Sequence, residues 1–389
     1  MKLLFVHDHP FYRDANRVVY TGGSFPYSLW DNYLQNFDEI IVFGRLSTSV
    51  RSKNSITSGN PMVQFYLTEN YRSVVTLLRN MGKLRKELRS LIAEADVVLT
   101  RLPSVLGFVA GVEAKRLDKP VWVEQVGNAR EALGTHGSLL GVLAAPIFEF
   151  ENKKAVKRAN YVTYVTENKL QKDYPANQAT CTVSLSDVII KHILNYDELD
   201  MKRFNGEFLH LGVIGSFEAR YKGQDILLRA INLLDNEIKS RIKISFVGKG
   251  ECKWVLQIAK QLDLLDNIVF TGALEPGAEI NAYLKSLSLY IQPSLTEGMP
   301  RATIEAMAMG CPVIGSNAGG IPDVVSNVFV HKKGDFKQLS THIRQLFNDR
   351  STLMKEAELS LEKAKPYAIE NLHKKRRDFY NEMNKREKL

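Results

Sequence analysis

The sequence predicts an α/β protein of two Rossmann-like, doubly wound domains facing a cleft, closed by a C-terminal helix. Three observations predict it. Short apolar, β-branched runs alternate with stretches of helical period, which is the mark of βαβ units and a parallel sheet. The alternation starts afresh after about residue 200, so two such units are expected rather than one. The chain has 389 residues, 44% hydrophobic and 24% charged, enough length for two domains and enough apolar surface for a core in each.

In the first half, strands are expected at 2–7, 39–43, 96–100, 121–124 and 161–166, with a helical stretch between 71 and 95. In the second, strands are expected at 208–214, 242–247, 268–271, 289–292 and 313–316. Helices fall between them at 224–234, 252–262, 278–285 and 304–309. The polar run NYDELDMKRFNG places the junction within 190–207, giving domains at 1–195 and 196–365. The basic segment 366–389 reads as a terminal helix that packs back on the N-terminal domain.

Several classes fall away. No run of 18 apolar residues is present, so no transmembrane helix is expected. The start MKLLFVHDHPF carries one lysine and a short apolar run, and reads as a strand rather than a secretory signal. The three cysteines, Cys181, Cys252 and Cys311, have neither metal spacing nor a disulfide framework, which fits a cytoplasmic protein. The formal charge of +9 points to an anionic partner: a phosphorylated ligand, a membrane or nucleic acid. No zinc pattern, RNP motif or arginine-rich tail with aromatic platforms is present, which argues against nucleic acid.

The chemistry concentrates in SLTEGMPRATIEAMAMGCPVIGSNAGGIP, residues 294–322. A strand leads into a loop with Glu297, Gly298 and Pro300, and a helix begins near Arg301. Gly298 allows close backbone approach to a ligand, and Pro300 suits a helix start. The free N–H groups of such a helix end bind phosphate. Glu305, about a turn inside, can accept hydrogen bonds from sugar hydroxyls, and Glu297 can reach another part of the same ligand. A second segment, Gly215-Ser216-Phe217-Glu218-Ala219-Arg220-Tyr221-Lys222-Gly223, joins a strand to a helix and puts Lys222 at the cleft's lip. A lysine beside a helix N-terminus can match a diphosphate's charge.

The string EGMPRATIEAMAMGCPVI, with Glu297 and Glu305 at its glutamates, closely resembles the signature of glycosyltransferase family 4, retaining enzymes of GT-B architecture. The resemblance covers most of 205–330 and extends more weakly through the N-terminal half. It implies that Glu305 binds the ribose hydroxyls of a nucleotide donor and that Glu297 contacts the donor sugar at the reaction centre. It also implies that Gly298, Met299 and Arg301 present backbone N–H groups to sugar and phosphate. Lys222 would neutralise the diphosphate. The family commonly adds an arginine just after the strand glycine; Ser216 stands there instead, and Arg220 is the candidate replacement.

Other segments resemble the family in kind. Gly248, in Val247-Gly248-Lys249-Gly250-Glu251, corresponds to the glycine turn beneath the nucleotide, and Leu274 to a residue against the donor base. Gly22 and Gly23 match a loop near the diphosphate and acceptor. The histidine many members carry after the strand at 121–124 is absent. His136 is the nearest candidate for that catalytic role, and Glu124 is an alternative polar group. No Asp-x-Asp motif occurs, and no metal or cofactor is expected; the nucleotide-sugar is a substrate.

The resemblance therefore implies a retaining transferase that moves a sugar from a UDP- or GDP-sugar to a glycan or lipid-linked acceptor, in bacterial polysaccharide or glycolipid synthesis. The basic amphipathic stretch 71–92 and the cluster Lys153, Lys154, Lys157 and Arg158 add an anionic membrane surface as a candidate partner, with the enzyme peripheral at the inner face. Two alternatives remain: a GT-B nucleotide-sugar epimerase or phosphorylase, and a non-catalytic partner subunit that kept the fold.

Overall fold

The structure, a computed structural model, describes residues 1–22, 25–47, 55–68, 74–134 and 139–387. The chain divides into two compact units. The first comprises Met1–Val165, Leu170–Ser184 and Arg377–Leu389; the second comprises Thr166–Lys169 and Leu185–Arg376.

Among the described residues, the first unit is built on a nine-stranded sheet. Its strands are β1 (Lys2–Arg13), β2 (Val19–Thr21), β3 (Glu39–Leu46), β4 (Ile56–Thr57), β5 (Val63–Thr68), β6 (Val97–Leu102), β7 (Val121–Gln125), β8 (Tyr161–Tyr164) and β9 (Cys181–Ser184). Seven run parallel in the order β5-β3-β1-β6-β7-β8-β9, and β2 and β4 form an antiparallel flap beyond β1. The order reverses between β1 and β6, as in doubly wound sheets. Leu3 to Val6 and Val97 to Leu99 have no exposed surface, as strands covered on both faces require.

β1 is longer than the expected 2–7. A register shift between Val6 and Pro10 lets it pair with β3 again at Pro10↔Arg45 and Phe11↔Leu46. The apolar signal ends at His7 because the irregular stretch carries His7, Asp8 and His9, so sequence pattern alone stopped there. β5 and β9, both with half-exposed residues, were also too weak in pattern to be read. The expected helix at 71–95 is two helices, Val74–Arg79 and Met81–Glu94, broken at Asn80, whose side-chain amide donates to Thr76 O at 2.8 Å.

The terminal helix Ile369–Arg386 starts in the second unit and finishes in the first. There Phe379, Tyr380 and Met383 are buried in the aromatic core around Trp122 and Tyr161. Trp122 meets Phe379 at 5.3 Å between ring centroids, and Tyr380 OH donates to Asn32 O at 2.8 Å. Burying each large apolar side chain contributes about 1.5–3 kcal/mol.

The second unit holds six parallel strands: β10 (Leu209–Ile214), β11 (Ile242–Val247), β12 (Ile268–Gly272), β13 (Leu289–Gln292), β14 (Val313–Ser316) and β15 (Val330–His331). Their order is β12-β11-β10-β13-β14-β15, reversing between β10 and β13. The main change of unit falls at Leu185, earlier than the junction expected within 190–207. The polar run that suggested the later point belongs to the second unit: within it Arg203 NH1 donates to Lys285 O at 2.7 Å and Arg203 NH2 to Gly310 O at 2.6 Å.

Candidate functional site

In a doubly wound sheet, ligands bind beyond the carboxyl ends of the strands where the order reverses. In the second unit that point lies between β10 and β13. β10 ends at Ile214 and runs into the loop bearing Lys222; β13 ends at Gln292 and runs into the loop bearing Glu297. Leu295 N–H donates to Tyr221 O at 2.7 Å and joins the two loops. Gly223 sits at φ +78°, and a Cβ there would lie 2.3 Å from Pro293 O, so only glycine permits this approach.

The result is an ion pair. Lys222 Nζ lies 2.6 Å from Glu297 Oε1, with the side chains 22% and 10% exposed. The same carboxylate oxygen accepts from Gln292 Nε2 and Ser294 Oγ, each at 2.9 Å. Gln292 is fixed in turn: its Oε1 accepts from Tyr290 OH at 2.8 Å and Thr303 Oγ1 at 3.2 Å. The loop after β14 closes the back of the site. Gly320 N–H donates to Gly298 O at 2.8 Å, and Gly319, at φ +48°, comes so near that a Cβ would lie 1.9 Å from Glu297 O.

The helix Arg301–Ala308 starts at this loop. Its first intrahelical bond runs from Ile304 N–H to Pro300 O, which leaves the N–H groups of Arg301, Ala302 and Thr303 ahead of the ladder. Glu305 is half-buried one turn in, and its carboxylate takes no hydrogen bond or ion pair from the described residues. Burial raises its carboxyl above the ordinary glutamate value, opposed by the charge of Arg301. A half-buried carboxylate without donors gains by accepting hydrogen bonds from a ligand's hydroxyls. The arrangement thus offers a cation, free backbone donors and two carboxylates on adjacent strand ends of one unit.

Glu297, Lys222, Glu305, Gly298, Met299 and Arg301 therefore fall around one strand-end region. Arg220 is exposed, its guanidinium 5.3 Å from the Trp254 ring centroid. Ser216 is turned into its own turn, donating to Lys249 O at 3.2 Å and accepting from Glu218 N–H at 3.2 Å. Gly248 packs on the end of β10: a Cβ there would lie 2.0 Å from Gly215 O. Leu274 is half-buried after β12 and packs on the core.

The remaining candidates belong to the first unit. Gly22 is exposed. Gly23 and His136 lie outside the described residues. Glu124 is buried, 2.8 Å from Arg101 NH1, and accepts from Tyr33 OH at 2.9 Å. His7 Nδ1–H donates to Arg101 O at 3.0 Å, and His9 Nε2 lies 2.8 Å from Thr21 Oγ1. Burial, then the charge of Arg101, holds them down to about 3 and about 4 respectively, so both are neutral. Asp8 caps a helix, accepting from Val105 N–H at 2.6 Å.

Sequence reading missed Gln292, Ser294, Gly319 and Gly320. The signal for Gln292 was a glutamine closing an otherwise apolar strand, LYIQ, where a buried polar group needs partners.

Residues 209–349 match the family model described as glycosyl transferases group 1. Over 348 residues the chain is 34% identical to Protein CapJ of Staphylococcus aureus, spanning 89% of this chain and 86% of that one. The chain belongs to the group 1 glycosyltransferases. The capsular polysaccharide biosynthesis glycosyltransferase CapH of Staphylococcus aureus is 32% identical over 133 residues, 33% of this chain and 37% of its own. Among solved structures, Anabaena HepE in complex with UDP superposes with a TM-score of 0.64 at 16% identity, over 96% of this chain and 98% of that one. The glycosyltransferase has the GT-B fold, with two parallel-sheet α/β domains and a C-terminal helix. No helix of the described residues is long and apolar enough to cross a membrane.

Proposed function

We propose that this protein is a retaining glycosyltransferase of family 4 type that takes its sugar from a nucleoside diphosphate donor held by the second unit. The observation that carries the reading is the Lys222–Glu297 pair at the strand-order reversal, with the carboxylate of Glu305, which has no hydrogen bond or ion pair among the described residues, one helical turn beyond. Glu305 would accept from the ribose hydroxyls. Lys222 and the N–H groups ahead of Ile304 would face the diphosphate, with Arg220 a further cation on the same segment. This assigns charge neutralisation to protein cations and backbone dipoles, so the nucleotide-sugar is substrate and no metal is called for. UDP- and GDP-sugars are the donors proposed; the UDP bound by HepE supports the first.

The transfer breaks the bond between the anomeric carbon and the phosphate oxygen, and the electron pair leaves with the nucleoside diphosphate. The acceptor hydroxyl bonds to the same face, and its proton passes to the departing phosphate oxygen. Lys222 acts where negative charge grows on that oxygen, and Glu297 faces the donor sugar. The name of CapH supports an acceptor in capsular polysaccharide synthesis, a glycan or lipid-linked glycan, on the cytoplasmic side. The intact Lys222–Glu297 pair favours this over a partner subunit that lost its chemistry.

The test is to incubate the protein with nucleotide-sugars and capsular acceptor fractions, then read the product's anomeric coupling constant by NMR. The donor's configuration in the new linkage supports the proposal. Inversion, epimerised donor or no product from any donor overturns it.

A further inference from the structure

The helix Leu139–Arg158 of the first unit presents an apolar stripe to solvent. Leu143, Ile147 and Phe150 are 74%, 69% and 63% exposed. Their spacing of four and then three residues puts all three on one helical face. Single exposed apolar residues are ordinary, whereas a contiguous exposed stripe marks an interaction surface. One turn on, the same face carries Lys154, whose Nζ lies 5.9 Å from the Phe150 ring centroid.

The charge beside the stripe is net positive. Lys153 and Lys154 are partly offset by Glu149 and Glu151, at 2.9 and 3.6 Å, but Lys157 and Arg158 have no ion pair among the described residues. An apolar cavity of about 270 Å³ opens along the helix, lined by Phe108, Val121 and Val123 and by the cations Lys115, Arg116 and Arg158. The other basic stretch, 71–92, differs. In Met81–Glu94 the apolar side chains Leu84, Leu88, Leu91 and Ile92 are buried in the core, while Arg85 and Arg89 pair with buried Glu113. That helix has no apolar face left to offer.

We propose that the exposed face of Leu139–Arg158 docks this protein on an anionic lipid bilayer. The stripe would enter the headgroup–acyl boundary while the lysines and Arg158 stay at the level of the phosphates. Lipid fits better than a protein groove because the apolar residues and the cations lie along one helical face, matching a bilayer's apolar interior beneath its anionic surface.

The experiment floats the full chain with vesicles of phosphatidylcholine alone or with about 30% phosphatidylglycerol. Flotation is expected with the anionic vesicles and should weaken with salt. The double change Ile147→Glu with Phe150→Glu should lower the bound fraction roughly tenfold, as should Lys154→Glu with Lys157→Glu. Lys83→Glu with Lys86→Glu should leave it within about twofold. The single variant Phe150→Trp keeps the face apolar, so it answers even where the glutamate variants do not fold; its added emission should shift to the blue on anionic vesicles only. The proposal is overturned by no flotation with anionic vesicles, by flotation that survives the Ile147 and Phe150 changes, or by an unshifted Phe150→Trp. A dimer in sedimentation velocity that Phe150→Glu separates, without vesicle binding, overturns it in favour of a second copy of the chain.

Discussion

Lys222 and Glu297 meet at 2.6 Å across two loops that leave neighbouring parallel strands where their order reverses. The carboxylate has two further donors, Gln292 and Ser294, so it stays held when the lysine turns to an anionic ligand. The ammonium has no second carboxylate among the described residues. A phosphate entering the site would therefore compete for Lys222 and leave Glu297 in place.

Replacing Lys222 tests that asymmetry. Lys222→Met should lower kcat for donor turnover by about a hundredfold, the scale for losing one preorganised charge donor. Nucleotide affinity should change less, because the backbone donors and Glu305 remain. Steady-state kinetics with separate kcat and KM decide it. An unchanged kcat with raised KM would mean that the lysine only binds.

Glu305 gives a pH signature. Its folded-state value is raised by burial, so the native protein holds this proton more tightly than the unfolded chain. Its contribution to stability is then lost as pH rises through the glutamate range, and at neutral pH the charged form is a net cost. Glu305→Gln should raise the ligand-free Tm at pH 7, with the difference closing as the pH falls through the glutamate range, by calorimetry. The same variant should weaken nucleoside diphosphate binding and flatten its decline at acid pH.

Two glycines separate backbone strain from steric conflict. Gly272 has φ +77° and open space where a Cβ would be; Gly319 has φ +48° with Glu297 O at 1.9 Å. Gly272→Ala should cost about 1–2 kcal/mol, the strain of the left-handed region alone. Gly319→Ala should cost more and lower turnover by displacing Glu297. Chemical denaturation alongside donor turnover checks both; equal losses for the two would deny Gly319 a role in the site.

The terminal helix is expected to stabilise the first unit. Phe379→Ala removes a ring packed on Trp122 and Tyr161, and should cost about 3–5 kcal/mol. Calorimetry should show an earlier transition, and the near-ultraviolet signal of Trp122 should be lost in it. An unshifted transition would mean that this helix end is dispensable.

The fold was largely legible. Strands such as Leu289–Gln292 and Val313–Ser316 are buried on both faces and leave a short, mostly apolar run. What escaped was irregular or half-exposed. β1 passes through a bulge carrying two histidines and an aspartate, and β5 alternates weakly. In the site, Glu297, Glu305 and Lys222 stood out through the strings EGMPRATIEAMAMGCPVI and GSFEARYKG and their resemblance to family 4, since a lone glutamate or lysine would read as surface charge. Their supports were not legible. Gln292 acts through pairings with Tyr290 and Thr303 that no spacing rule announces, and Gly319 matters through a backbone approach from another loop. Chain order gave no sign that one basic helix buries its apolar face while Leu139–Arg158 exposes it; only the packing separates them.

The most direct measurement is a calorimetric titration of the protein with UDP, GDP, ADP and CMP, repeated for Glu305→Ala. The account predicts saturable binding of one nucleoside diphosphate, weakened at least tenfold by the substitution, the scale of an unmet buried hydrogen-bond group. Folded protein that binds none of the four, or binds one equally well without the Glu305 carboxylate, would contradict the assignment of the donor to this unit.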